Sequence, residues 1–139
     1  SVYTLSNTAS DKEAEALAAK ENKADVIAGA DLGDYPPEVS SILIDLAQSD
    51  NNEESWHFAE MLVSELNGRI RILENPHRFA GFAVLKSPNV PSLLVELGYL
   101  SNRLDEKLLR TNSYMKRVAQ VLLRSIDLYF ERWRTHRQS

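Results

Sequence analysis

The chain contains no cysteine, so a disulfide scaffold and a thiolate metal site are both excluded. It has only three histidines, His57, His77 and His136, with no His-x-x-x-His pair. The sequence alone therefore offers no metal-ligand set, and each His is expected to be a non-ligand. No Gly-x-Ser-x-Gly elbow is present, which removes the usual serine nucleophile. No apolar stretch is long enough to span a bilayer, and no signal peptide is visible. Positive charge does not predominate: the net charge is −4 and the basic residues are scattered, which argues against a nucleic-acid partner. There is no internal repeat and no low-complexity region.

What is present fits one domain, since 139 residues can bury a real core. The opening Ser1-Val2-Tyr3-Thr4-Leu5 reads as a strand without an initiator Met, as in a chain that starts inside a fold. Ser10-Asp11-Lys12-Glu13 has the form of a capping box and predicts a helix to about Ala24. On that helix Ala14, Leu17, Ala18 and Glu21 share one face, so Glu21 stands where a core residue is expected. A carboxylate there must be paired, bound to metal or lifted into solvent at the edge of the stripe.

Val26 to Tyr35 reads as a linker, closed by Pro36-Pro37. A second helix is predicted from about Pro37 to Gln48, with Val39, Ile42, Leu43 and Leu46 as its apolar stripe and Glu38 against its N-terminus. Ser49-Asp50-Asn51-Asn52 should end it. A third helix follows from about Glu53 to Asn67, with Trp56, Ala59, Leu62, Val63 and Leu66 inward and Gly68 as its stop. Strands are expected over Phe79 to Leu85 and Ser92 to Val95, then a helical turn from Asn102 to about Leu109. The last helix, about Asn112 to Trp133, carries Met115, Val118, Ala119, Leu122, Ile126, Tyr129, Phe130 and Trp133 as its stripe, with an unordered Arg-rich tail beyond.

The strongest chemical signal is Leu93-Leu94-Val95-Glu96, an unalternating apolar run that ends in a carboxylate. Such a run fits a strand covered on both faces in an α/β sheet, and sheets of that class place ligands beyond strand ends. Glu96 is therefore the candidate for chemistry; a carboxylate that caps the next turn or pairs with a surface Arg is the competing explanation.

Two blocks, Val84-Leu85-Lys86-Ser87-Pro88-Asn89-Val90-Pro91-Ser92-Leu93-Leu94-Val95-Glu96-Leu97-Gly98-Tyr99-Leu100-Ser101-Asn102 and the segment from Ala9 to Asn22, occur together and in order. With the opening Ser1 to Ser6, they resemble the zinc-dependent N-acetylmuramoyl-L-alanine amidases of the bacterial cell-division type (amidase 3 family). The resemblance implies an α/β fold, part of a mixed sheet flanked by helices, with residues 1–139 forming the C-terminal part of one catalytic domain. It implies a periplasmic hydrolase that cuts the amide between N-acetylmuramic acid and L-alanine in peptidoglycan. Glu96 would be its general base. The family's principal Zn²⁺ ligands lie upstream of the segment matched here, so the chain alone is expected to be inactive.

In the division-type enzymes an inserted helical element covers the metal cleft until an activator, here expected to be of the degenerate LytM type, draws it away. Residues 26–52 match that insert in size and place, which would make Glu38, Val39, Ile42, Leu43 and Leu46 regulatory. Glu21 matches the glutamate of the family's KEN-type segment and is the first candidate for an inhibitory metal ligand. A non-catalytic module that docks a partner through the helix from 37 to 48 is the alternative.

Overall fold

The computed structural model describes residues 1–27, 39–87 and 89–137, with the side chains of 25–27, 39–48, 136 and 137 outside the description. Its centre is a three-stranded mixed sheet. Strand β1 (Val2–Leu5) lies between β2 (His77–Ala80), which runs parallel to it, and β3 (Leu94–Val95), which runs antiparallel. In register, Tyr3 stands beside Arg78 on one neighbour and Leu94 on the other.

Alternation along β1 sends its side chains to two separate cores. Tyr3 joins Ala14, Ala18, Ala80, Phe82 and Leu85 under α1 (Lys12–Ile27). Val2 joins Ala59, Leu62, Leu66 and Val121, supplied by α2 (Val39–Leu66) and α4 (Asn112–Arg137). The sheet is thus sandwiched between α1 and the α2–α4 pair, an α/β architecture with a helical layer on each face. Between β3 and α4 lies the short α3 (Arg103–Leu109), capped by Asn102, whose side chain accepts from the amides of Leu104 and Asp105.

The first helix starts one residue later than a capping box at Ser10 would set it. The Asp11 carboxylate accepts from the Ala14 amide at 2.9 Å and is the cap. Ser10 instead extends the pairing of β2, exchanging bonds with Phe79 through its amide (2.9 Å) and its hydroxyl (3.2 Å). The helix also continues to Ile27, beyond the expected end and into the expected linker.

The larger correction concerns the middle of the chain. The two helices expected over 37–48 and 53–67 are one, running unbroken from Val39 to Leu66. Ser49-Asp50-Asn51-Asn52 are weak helix formers, but each costs only a few tenths of a kcal/mol, and no Gly or Pro stands between Glu38 and Asn67. Ser55 further secures the join by donating to the Asn51 carbonyl at 2.6 Å. The stop at the far end is as the sequence predicts: Gly68 takes φ +75° while the amides of Arg69 and Ile70 both return to the Leu66 carbonyl. Trp56, expected inward, lies at the sheet edge against the His77 ring (4.3 Å). Glu38 lies outside the described residues, as do the side chains of Val39, Ile42, Leu43 and Leu46.

The strand expected from Phe79 to Leu85 ends at Ala80 and gives way to a 3₁₀ turn over Ala83–Leu85. The cause is Asn22, whose side-chain amide donates to the Gly81 carbonyl (2.9 Å) and accepts from the Ala83 amide (2.8 Å), drawing the chain out of the sheet. On α4 the inward stripe is Tyr114, Val118, Val121, Ser125 and Tyr129, rotated from the expected one, so that Ala119, Ile126, Phe130 and Trp133 are exposed. A serine at the centre hides this face from a hydrophobicity pattern; Ser125 is wholly buried because its hydroxyl returns to the Val121 carbonyl at 2.8 Å. The helix also runs through the Arg-rich tail to Arg137.

Candidate active site

Glu96 stands directly after β3. The strand pairing continues through it, with the Ser1 backbone ammonium nitrogen donating to the Glu96 carbonyl (3.0 Å) and the Glu96 amide donating to the Ser1 carbonyl (2.9 Å). Leu94 packs into the core beneath α1, while Leu93 and Val95 pack into the core beneath α2 and α4. The run before Glu96 is therefore covered on both faces. It is nevertheless only half-buried, because β3 is paired on one side only among the described residues. The strand is held at its start by Ser55, whose buried hydroxyl accepts from the Ser92 amide at 2.8 Å.

The carboxylate has specific company. Oε2 accepts a hydrogen bond from the Tyr3 hydroxyl at 3.2 Å. Burial first, and the charge on Glu96 second, push the Tyr3 hydroxyl above the ordinary phenol range. The Tyr99 hydroxyl interacts with the same carboxylate, and partial burial together with Glu96 pushes it up to about 12. Both phenols are thereby kept in the donor form around neutral pH.

Behind Tyr3 lies an ion cluster. The Arg78 guanidinium sits 6.0 Å from the Tyr3 ring centre. Arg78 donates to both Asp11 carboxylate oxygens and to Glu13 at 2.9 Å, although its own side chain is only 9% exposed. The hydrogen bonds from Arg78, then that from the Ala14 amide, hold the Asp11 carboxyl far below the usual carboxylate range.

After Glu96 the chain turns sharply. The Asp105 carboxylate accepts from the Tyr99 amide at 3.1 Å, and a Cβ on Gly98 would stand only 3.0 Å from the Asp105 Cβ. Glycine is required there by close approach. The turn forms one wall of a cleft of about 300 Å³ lined by Leu66, Ile72, Val95, Glu96, Tyr99 and Tyr114 among others. Its wall is mostly apolar, with Glu96, Asp105 and Arg71 among the lining residues, the kind of concavity that orients a ligand by a few polar groups.

The other candidate residues do not gather here. Glu21 is half-exposed on α1, next to Asn22, which grips the loop leaving the carboxyl end of β2. Glu96 lies beyond the opposite end of the sheet, opposite Ser1, and no contact among the described residues links it to Glu21. His57 faces Glu53 at 3.7 Å, His77 bonds the Thr4 hydroxyl at 3.0 Å, and the His136 side chain is outside the description. The sequence reading missed Tyr3, Arg78 and Ser55. Tyr3 was detectable in principle, because a tyrosine inside a buried strand needs a partner for its hydroxyl.

The arrangement is a half-buried carboxylate met by two phenols just beyond a strand end, in an α/β sandwich. Residues 2–127 match the Amidase_3 family, N-acetylmuramoyl-L-alanine amidase, and the chain belongs to that family. It is 33% identical over 131 residues to the N-acetylmuramoyl-L-alanine amidase AmiA of Salmonella typhimurium, covering 94% of this chain and 45% of that protein. It is 35% identical over 132 residues to AmiC of Escherichia coli, covering 94% of this chain and 31% of that protein. The probable cell wall amidase LytH of Staphylococcus saprophyticus is 33% identical over 72 residues, covering 52% of this chain and 25% of that protein. The chain thus spans less than half the length of these relatives.

Family membership raises the question of a metal. Among the described residues no three His, Asp or Glu side chains come together as a metal-binding group. The cleft is lined by the carboxylates of Glu96 and Asp105 and by Ser1, whose hydroxyl is buried without a hydrogen-bond partner. Asp105 is already engaged by the Tyr99 amide, and with no histidine beside them these groups do not make up a zinc ligand set. Among the described residues no helix is long and apolar enough to cross a membrane.

Proposed function

We propose that this segment supplies the general base of a peptidoglycan amidase that cuts the bond between N-acetylmuramic acid and L-alanine. The observation that carries the proposal is the Glu96 carboxylate, which accepts a hydrogen bond from a buried tyrosine and belongs to a residue that lines a mostly apolar cleft. Glu96 takes a proton from the attacking water and returns it to the leaving amine of L-alanine, which departs poorly as an anion. A Zn²⁺ ion, if held by side chains of the complete protein outside this segment, would supply the acidity of that water. Relatives with amidase names support the substrate class. A docking module has no use for a carboxylate so held, and the side chains of the helix through which that alternative would act lie outside the description.

The finer reading is a periplasmic enzyme of daughter-cell separation, restrained by the segment from 26 to 52 and released by an activator of the degenerate LytM type. It rests on the resemblance alone. In that reading the first part of α2 is the lid. Glu21 acts as an inhibitory ligand only if the upstream ligands place the metal toward its end of the sheet.

The test is Glu96→Gln in the complete protein, assayed on purified peptidoglycan. The rate should fall by roughly two to four orders of magnitude, the range for a lost general base, with unchanged metal content and folding. Retention of most of the rate removes Glu96 from the mechanism.

A further inference from the structure

Glu96 is half-exposed at the end of a two-residue edge strand, a poor place to hold a flexible side chain still. Three side-chain torsions lie between its backbone and its carboxylate, and each free torsion dilutes the reactive orientation. Tyr3 is the opposite kind of residue. It is 0% exposed in the central strand, with its ring packed edge-on against Phe82 at 5.3 Å and 63°. The Arg78 guanidinium, itself held by Asp11 and Glu13 on α1, sits near the ring. The ring has no room to turn away, so the position of its hydroxyl is set by the core of the domain.

We infer that Tyr3 is the positioning residue for Glu96, transferring the rigidity of the buried sheet to the carboxylate through the bond from Tyr3 Oη to Glu96 Oε2. The inference rests on the proposed role of Glu96 as general base. It is a claim about orientation: Tyr3 bonds the carboxylate but is not itself among the residues that line the cleft. Tyr99 reaches the same carboxylate from an exposed turn, 46% accessible, and lacks such a frame.

The test compares Tyr3→Phe, Glu96→Gln and the double variant in the complete, metal-loaded protein on purified peptidoglycan. Tyr3→Phe removes one oxygen and keeps the buried ring, so the unfolding midpoint should stay near that of the parent. The turnover rate should fall roughly 10- to 100-fold with KM within about twofold, the pattern of a misplaced catalytic group. Added to Glu96→Gln, it should bring no further loss, because the carboxylate it serves is already gone. A full rate in Tyr3→Phe while Glu96→Gln is inactive overturns the positioning role and leaves the base assignment standing. A full rate in Glu96→Gln overturns the base assignment itself. A loss confined to KM, or one that multiplies with that of Glu96→Gln, also overturns the inference.

An ultraviolet phenol titration decides the contact independently of activity and of how well Tyr3→Phe folds. In Glu96→Gln, the Tyr3 and Tyr99 hydroxyls should ionise at lower pH than in the parent, because the neighbouring negative charge has been removed. Unchanged phenol titration means that the hydroxyl does not meet the carboxylate, and the inference falls.

Discussion

Gly98→Ala places a methyl group where the chain has no space for one. Its Cβ would stand 3.0 Å from the Asp105 Cβ and 3.3 Å from Cγ, at a φ of +155° that side chains rarely adopt. Neither partner yields easily. The Asp105 Cβ is the root of its side chain, its amide is bound by the Asn102 cap at 3.2 Å, and its Oδ2 holds the Tyr99 amide at 3.1 Å. Backbone strain of roughly 1–3 kcal/mol is therefore joined by a weakened hydrogen bond of about 1 kcal/mol. With an unfolding entropy of ~2.1 cal/mol/K per residue, each kcal/mol moves the Tm by about 3 °C, so a fall of about 6–12 °C is expected. Two other glycines calibrate the experiment. At Gly68, with φ +75° and nothing within 4 Å of the added Cβ, alanine should cost only the left-handed backbone, about 1–2 kcal/mol. At Gly81, where the nearest atom is the Ser6 carbonyl oxygen at 3.8 Å, alanine should be neutral or stabilise by up to about 1 kcal/mol. Thermal unfolding followed by circular dichroism ranks the three variants. If Gly98→Ala is no less stable than Gly81→Ala, the account of this turn is wrong.

Burial lowers the pKa of His77, so the folded protein resists its protonation. Stability should then decline as pH falls below about 6.5, where the unfolded chain takes up a proton that the folded chain refuses. His77→Gln, which keeps a polar partner for Thr4, should flatten the Tm between about pH 7 and about pH 5 relative to the parent; an identical slope in both sinks the assignment. In the complete protein, Leu46→Asp should raise basal amidase activity if the first part of α2 is a lid, by placing an unpaired charge on its docking face. Glu21→Ala should do the same only if Glu21 reaches the metal, and basal rates unchanged by both changes would make that segment ordinary scaffold.

What could be seen in the sequence was set by how local its cause was. The Gly68 stop and the Asn102 cap were legible because both act within a few residues of themselves. The join across Ser49–Asn52 was not, since polar residues signal a break that only Gly or Pro could have enforced. Asn22 illustrates the limit further: Gly81 marks an interruption in the strand expected from Phe79 to Leu85, but the side chain that ends the strand there comes from about sixty residues away. Glu96 stood out because an apolar run led to it. The tyrosine that holds it was concealed, because the two are brought together only by a strand pairing that spans most of the chain.

That pairing has a kinetic consequence. The bonds between Ser1 and Glu96 join residues 95 positions apart, the longest closure in the sheet, whereas β1 and β2 meet over a somewhat shorter loop. Closing a flexible loop of that length costs about 4 kcal/mol in chain entropy beyond a constant, by the logarithmic law for loop closure. Only two residues of β3 are on hand to offset it. Contacts of such separation form late in folding, after their flanking helices exist. They are also the first surrendered when a sheet opens from its edge. Amide exchange at Leu94 and Glu96, the two β3-side residues whose amides face β1, should consequently report a partial opening, of lower free energy than the unfolding that releases Tyr3. The carboxylate comes into register only when the rest of the segment has already found its shape.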